Sequence, residues 1–227
     1  MVKSLFLCIV VACNLSALAQ SSPPPPDNAI LNGVEYTDYY EHMYDAKHPF
    51  YMNNAFTWGE VTYFGRHYDR ALLKYDIIKD ELITVYADSI TPITLYPEQV
   101  DSFKIYGQKF VRMTNGSGLP PGYYAHIYGN EKFEVFAHYT KSMLQQQYVN
   151  GGLYDLVSDH DYYYLKIAGD HVFHSFKGLK GLGDLLNAPR KQTKLFQRNN
   201  PYTDSENNRD ATASSSRLRD YCTFLSK

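Results

Sequence analysis

Residues 72–86 have the sequence LLKYDIIKDELITVY. Apolar and polar side chains alternate on both sides of the polar link Lys79-Asp80-Glu81, and alternation is typical of strands with one buried face. A short polar link between two such strands is typical of a tight turn. This stretch therefore predicts an antiparallel β-hairpin.

The same arrangement recurs further along the chain. Alternating segments flank Gly107-Gln108, Gly129-Asn130-Glu131 and Ala168-Gly169-Asp170, which predicts three more hairpins, at 103–113, 123–139 and 162–176. The polar, Gln-rich segment 141–152 is expected to be a long excursion between the last two hairpins. Because nearly all links are short, the strands should be antiparallel neighbours.

The remaining segments complete the prediction of the fold. Strands are expected at 56–61 and 93–96, and Pro97 is expected to open a helical turn over 97–102. No repeated unit of strand, crossover helix and parallel strand is visible, which argues against the dinucleotide-binding and barrel enzymes that are built from this unit. We predict a mainly β protein, an antiparallel meander or sandwich-like sheet, with a short helical C-terminal region.

The chain begins with the features of a secretory leader. A positive start at Lys3 is followed by an apolar run over 4–15 and by Ala17-Leu18-Ala19, a small-residue cleavage pattern. The run is too short to span a bilayer. We expect cleavage after Ala19 and four parts: a signal peptide at 1–19, a Pro-rich spacer and irregular lead-in at 20–54, an antiparallel β domain at 55–176, and a basic, partly helical region at 177–227.

The cysteines bear on location. After cleavage only Cys222 remains, so no internal disulfide can form, which favours a bacterial periplasmic or secreted protein stabilised by packing. Lipidation at Cys13 is an alternative, since Val10-Val11-Ala12-Cys13 loosely fits a lipoprotein cleavage site. Cys222 itself is interpreted as a small packed side chain.

Composition narrows the class of partner. The sequence pI is about 6.4, which argues against a nucleic-acid binder. Charge is polarised, because residues 177–227 hold ten Lys and Arg against five Asp and Glu, whereas residues 20–176 hold eleven against nineteen. Two interpretations stay open: the basic region binds an anionic surface or partner, or it packs on the acidic sheet and neutralises it.

A resemblance rests on the order of these features. The leader, the aromatic meander with its Tyr75-to-Leu82 turn, and the final hairpin that leads into Leu185-Leu186 and a basic helix together resemble a broad group of uncharacterised secreted, tyrosine-rich proteins of Gram-negative bacteria. The resemblance covers roughly 56–199. It implies fold and cell-envelope location, and it implies no activity.

Aromatic residues are the main candidates for ligand binding. The chain contains 22 Tyr, 12 Phe and 1 Trp, and rigid rings offer a large contact area at little entropic cost. The alternative is that the rings fill a core and brace cross-strand pairs. The candidate platform residues are Trp58, Tyr63, Tyr68, Tyr123, Tyr124, Tyr162, Tyr163 and Tyr164.

Candidates for chemistry are few. His171, His174, Asp159 and Asp170 gather near the last hairpin and would bind a metal ion if they converged, although His171 and His174 have opposite strand parity. No nucleophile-elbow, catalytic-cysteine or zinc-protease motif occurs, and no cofactor is predicted. We therefore predict a binding, interaction or structural module with an envelope protein or glycan as partner. The alternatives are a carbohydrate-binding domain and a metal-dependent hydrolase.

Overall fold

The structure, a computed structural model, describes residues 28–37, 48–87, 90–149, 151–201 and 211–226. The predicted signal peptide, Cys13 and the proline run 23–26 lie outside these residues. The described part of the chain is mainly antiparallel sheet followed by helices, which confirms the predicted fold class.

Eleven strands form one sheet within the described residues, and every pair of neighbours is antiparallel. The order across the sheet is β1-β5-β4-β3-β2-β6-β7-β8-β9-β10-β11. The strands are β1 (Gly33–Glu35), β2 (Thr57–Tyr63), β3 (Arg66–Asp76), β4 (Glu81–Val85), β5 (Pro92–Leu95), β6 (Val100–Ile105), β7 (Gln108–Met113), β8 (Gly122–Gly129), β9 (Phe133–Val149), β10 (Gly152–Ile167) and β11 (Phe173–Phe176).

The predicted hairpins are present, and local backbone geometry explains their turns. Asp80 in the β3–β4 link has φ 56°, and Gly107 and Gly169 have φ 74° and 81° in two others. Glycine and aspartate tolerate this left-handed region better than most residues. The expected helical turn after Pro97 is shorter than predicted, because a single 3₁₀ turn (Pro97–Gln99) leads directly into β6.

The prediction for 141–152 was wrong. β9 and β10 continue through it as a hairpin, with Lys141 opposite Asp159 and Val149 opposite Gly152. Gly151 closes the link with φ 84°. Backbone pairing does not itself require apolar alternation, so the polar composition of this segment did not prevent strand formation. The irregular lead-in also contributes a strand, because β1 pairs with β5.

The main core lies on one face of the sheet, which we call the inner face. Tyr75 is 1% exposed there, and its ring packs edge-on against Phe103, Phe110 and Tyr123 at centroid distances of 5.2, 5.3 and 5.9 Å. Many of the aromatic side chains therefore pack in the core, where each ring buries a large apolar area. Tyr51 joins the same cluster from the lead-in by stacking on Tyr139.

In the described part of the chain, three helices follow the sheet: α1 (Gly178–Leu185), α2 (Arg190–Asn199) and α3 (Ala211–Leu225). α3 packs on β8, where the Arg219 side chain donates from Nε to the Ile127 carbonyl and from Nη2 to Gln108 Oε1, both at 3.0 Å. Leu218, Tyr221 and Cys222 of α3 are buried in the main core. The helices therefore belong to the same packed unit as the sheet.

Candidate functional site

The eight candidate platform residues do not form one surface. Only Trp58 and Tyr162 are largely exposed, at 55% and 51%. They lie on β2 and β10, which are separated by four strands, or about 24 Å at ~4.8 Å per strand spacing. Tyr63, Tyr123 and Tyr124 are buried, and Tyr68, Tyr163 and Tyr164 are half-buried.

The buried tyrosines on the inner face are tied to a buried carboxylate. The Tyr75 hydroxyl donates to Asp80 Oδ1 at 2.5 Å, and the Tyr123 amide donates to Asp80 Oδ2 at 3.2 Å. Burial raises the pKa of the Asp80 carboxyl and also that of the Tyr75 and Tyr123 hydroxyls. These groups cross-link the β3–β4 turn to β8, so their polar atoms are occupied by the fold.

Tyr124 belongs to a second, smaller core on the opposite, outer face. Its ring stacks on His138 with centroids 4.4 Å apart, and its hydroxyl donates to the Pro120 carbonyl at 3.0 Å. Leu119, in the loop before β8, is also buried in this cluster. Burial lowers the pKa of His138, which favours the neutral imidazole. The predicted ring platform is thus covered here by the loop.

The four candidate metal ligands lie in separate contacts. His174 Nε2 is 2.8 Å from Asp170 Oδ2, and this hydrogen bond lowers the pKa of the Asp170 carboxyl. Asp159 instead faces Lys141 at 3.8 Å, and His171 is exposed. Nowhere in the described ranges do three or more His, Cys, Asp or Glu side chains come together in a way that could hold a metal ion.

Cys222 is fully buried in α3. Burial raises the pKa of its thiol to about 12, so the reactive thiolate is scarce at neutral pH. This geometry fits the interpretation of Cys222 as a packed side chain.

α2 carries the strongest concentration of exposed charge at the C-terminal end of the described chain. Its buried face is anchored on α3, where Thr193 Oγ1 is 2.7 Å from the Tyr221 hydroxyl and the Phe196 ring packs 5.0 Å from that of Tyr221. Gly183 of α1 makes room for this contact, because a Cβ there would lie 2.7 Å from the Tyr221 hydroxyl oxygen.

The opposite face of α2, which we call the basic face, consists of Arg190, Lys191, Lys194 and Arg198, all of them exposed. At 100° per residue these side chains fall within an arc of about 100° and extend over about 12 Å of helix. No ion pair between described residues involves them, and α2 contains no Asp or Glu. Leu195, 40% exposed, borders this face.

The basic face bears on the two open interpretations of the basic region. α2 packs on α1 and α3, and its cations point away from that packing. The net charge of 177–227 is evident from its composition, but this basic face was not predicted. The signal was present, because the spacings 190, 191, 194 and 198 place the cations together on one side of a helix.

Comparisons with known proteins do not identify a family. No protein-family model matches the chain, and neither a curated protein nor a solved structure is significantly similar to it. No helix in the described part of the chain is long and apolar enough to cross a membrane. The candidate site therefore rests on the geometry of the chain itself.

Proposed function

We propose that the protein is a secreted or periplasmic envelope protein that acts by binding rather than catalysis, and that the basic face of α2 docks it onto an anionic lipid surface. The observation that carries the proposal is the set of four exposed cations on one side of α2 without acidic neighbours on that helix. The leader expected at 1–19 supports delivery to the envelope.

The shape of the site favours a surface as partner over a small anion. The basic face is convex and spreads its charges over two turns of helix, which matches many phosphate groups in a plane better than a single one. Leu195 can add an apolar contact at the margin. Each Lys or Arg close to an anionic bilayer contributes about 1 kcal/mol, so four give about 4 kcal/mol. Binding should be reversible and sensitive to salt.

The proposal is tested by cosedimentation with lipid vesicles at low ionic strength. The protein is expected to bind vesicles that contain phosphatidylglycerol. It is expected not to bind vesicles made only of phosphatidylcholine. The double variant Lys191→Gln, Lys194→Gln should bind about 30-fold more weakly, because it loses about 2 kcal/mol. Both side chains are exposed, so the variant should keep its melting temperature.

The matched control removes two exposed cations from the sheet side, Lys109→Gln with Lys132→Gln. It makes the same change in net charge and should retain most of the vesicle affinity. Equal losses in the two variants would show that only net charge matters and would refute a docking face. Absence of binding to phosphatidylglycerol vesicles would refute the lipid partner.

A further inference from the structure

A second candidate site lies on the outer face of the sheet, between β2, β3, β6 and β7. A groove of about 450 Å³ opens there, which is within the usual size range of small-molecule sites. Its polar lining comes from Glu60, Thr62, His67, Ser102, Lys104 and Lys109. The outer-face loop with Leu119 covers the region around Tyr124, and Trp58, two residues before the groove residue Glu60 on β2, is 55% exposed.

Two β-bulges shape this part of the sheet. The β2–β3 register shifts between Gly59 and Val61, so that two residues of β3, Asp69 and Arg70, oppose Glu60. The β2–β6 register shifts between Thr62 and Tyr63. Bulges re-aim side chains and are frequent beside binding sites. Beside the first bulge, the Arg70 guanidinium lies 4.3 Å from the centre of the Trp58 ring in a cation–π contact.

The groove contains both hydrogen-bond donors and acceptors. Lys104 Nζ lies 2.9 Å from Glu60 Oε1, and this hydrogen bond lowers the pKa of the Glu60 carboxyl, so the acceptor stays ionised. Thr62 Oγ1 lies 3.3 Å from His67 Nδ1. Lys109 is exposed at the rim and takes part in no ion pair among the described residues. It is therefore a cation available to a ligand.

Trp58 supplies an aromatic surface beside these polar groups. It is two residues from Glu60 on the same strand, and alternate residues of a strand share a face. The electron-rich face of an indole ring attracts positively polarised hydrogens, which the C–H face of a sugar ring presents. Sugar hydroxyls donate to a carboxylate and accept from ammonium groups, and Glu60, Lys104, Thr62 and Ser102 offer both kinds of partner.

We propose that this groove binds an acidic saccharide, with sugar hydroxyls on Glu60 and its Lys104 partner, a ligand carboxylate on Lys109, and a sugar ring against Trp58. This site is separate from the basic face of α2, so the inference goes beyond the lipid docking proposed above. The proposed saccharide site uses one exposed ring, that of Trp58, whereas the sequence predicted a platform of several rings.

The experiment uses the fact that Trp58 is the single tryptophan of the chain. Fluorescence excited at the red edge of indole absorption reports on this residue, because tyrosine does not absorb there. Titration of the full chain with trigalacturonate should give a saturable change in Trp58 emission, and the neutral trisaccharide maltotriose should bind at least about ten-fold more weakly. No saturable change with trigalacturonate would overturn the proposal, and so would equal affinity for the two sugars.

Variants locate the site. Lys109→Gln should weaken trigalacturonate binding about ten-fold, since hydrogen bonds to charged groups are the strong ones. Lys132→Gln, an exposed lysine outside the groove, should leave it unchanged. Glu60→Gln should weaken the binding of both sugars. Because Trp58→Ala removes the fluorescent residue, its binding is measured by calorimetry. Equal behaviour of Lys109→Gln and Lys132→Gln, or unchanged binding in Glu60→Gln and Trp58→Ala, would refute the groove as the site.

Discussion

Asp80 joins two hairpins that are distant in sequence. Its carboxylate accepts from the Tyr75 hydroxyl and from the Tyr123 amide, which lies at the start of β8, before the pairing of β8 with β9 begins. The left-handed backbone at Asp80 aims the side chain at that point. Asparagine tolerates the same backbone conformation, so Asp80→Asn changes the charge with little change in shape.

We expect the stability of the protein to depend on pH through Asp80. Burial raises the pKa of this carboxyl above the ordinary value of 3.8. The folded state thus favours the neutral acid, and this contribution is fully present below pH 3.8 and lost as pH rises through the folded pKa. Because asparagine cannot ionise, the melting temperature of Asp80→Asn should improve relative to the native protein as pH rises from 4 to 7.

The measurement is thermal unfolding at a series of pH values for the native protein, Asp80→Asn and the control Asp101→Asn. Asp101 is exposed, so its variant makes the same change in net charge outside the core. A difference between the native protein and Asp80→Asn that stays constant across this pH range, or that Asp101→Asn reproduces, would contradict the role of burial.

The β9–β10 hairpin extends beyond the rest of the sheet. Among the described strands, β8 pairs with β9 only as far as Ala137, and β11 pairs with β10 only as far as Tyr163. With respect to the strands that the structure describes, residues 138–149 of β9 and 152–162 of β10 therefore pair only with each other. A two-stranded ribbon is marginally stable unless it packs on something.

Hydrogen exchange should reveal this difference within one hairpin. Amides at 141–149 are expected to exchange well before those of the same strand at 133–137, because the latter are flanked on both sides by paired strands. Exchange measured by mass spectrometry of overlapping peptides gives the comparison. Equal protection along β9 would show that the ribbon is stabilised as strongly as the sheet centre.

Local signals explain which elements sequence analysis predicted. At Asp80, Gly107 and Gly169, a residue that tolerates left-handed backbone stands between two segments of alternating apolar and polar residues. Both signals of a hairpin lie within a few residues of the turn. The extended part of the β9–β10 hairpin was not predicted, because its pairing depends on the Gly151 turn and on the register of the earlier part of the same two strands. The turn residue was thus a better indicator of strand formation in 141–152 than the polar composition of this segment.

Side-chain exposure was harder to predict than the strands. Tyr123 and Tyr124 are neighbours, so alternation places them on opposite faces of β8. Alternation does not reveal that both faces are covered, by the main core for Tyr123 and by the loop with Leu119 for Tyr124. Trp58 was named as a candidate ligand residue, but Lys104 and Lys109 of the groove lie on other strands, and the register that brings them beside Glu60 cannot be derived from the pattern of β2 alone.

The two proposed binding surfaces lie on different sides of the molecule. α1 and α3 pack with the inner-face core, and α2 packs on them. The groove is on the outer face of β2, β3, β6 and β7, where Glu60 and Lys104 point away from that core. The proposed lipid site and the proposed saccharide site therefore share no residue, so one chain could hold both ligands at the same time under these two proposals.

This arrangement predicts that the protein bridges a lipid surface and an acidic polysaccharide. Sites that share no residues are expected to act almost independently, so saturating trigalacturonate should change the affinity for phosphatidylglycerol vesicles by less than about two-fold. A polygalacturonate resin should retain such vesicles only when the protein is present. Retention should fall with Lys109→Gln, which loses one saccharide contact, and with the Lys191→Gln, Lys194→Gln double variant, which loses two of the four cations of the basic face. Competition between the saccharide and the vesicles would instead mean that both ligands use one surface, and the bridging role would then be untenable.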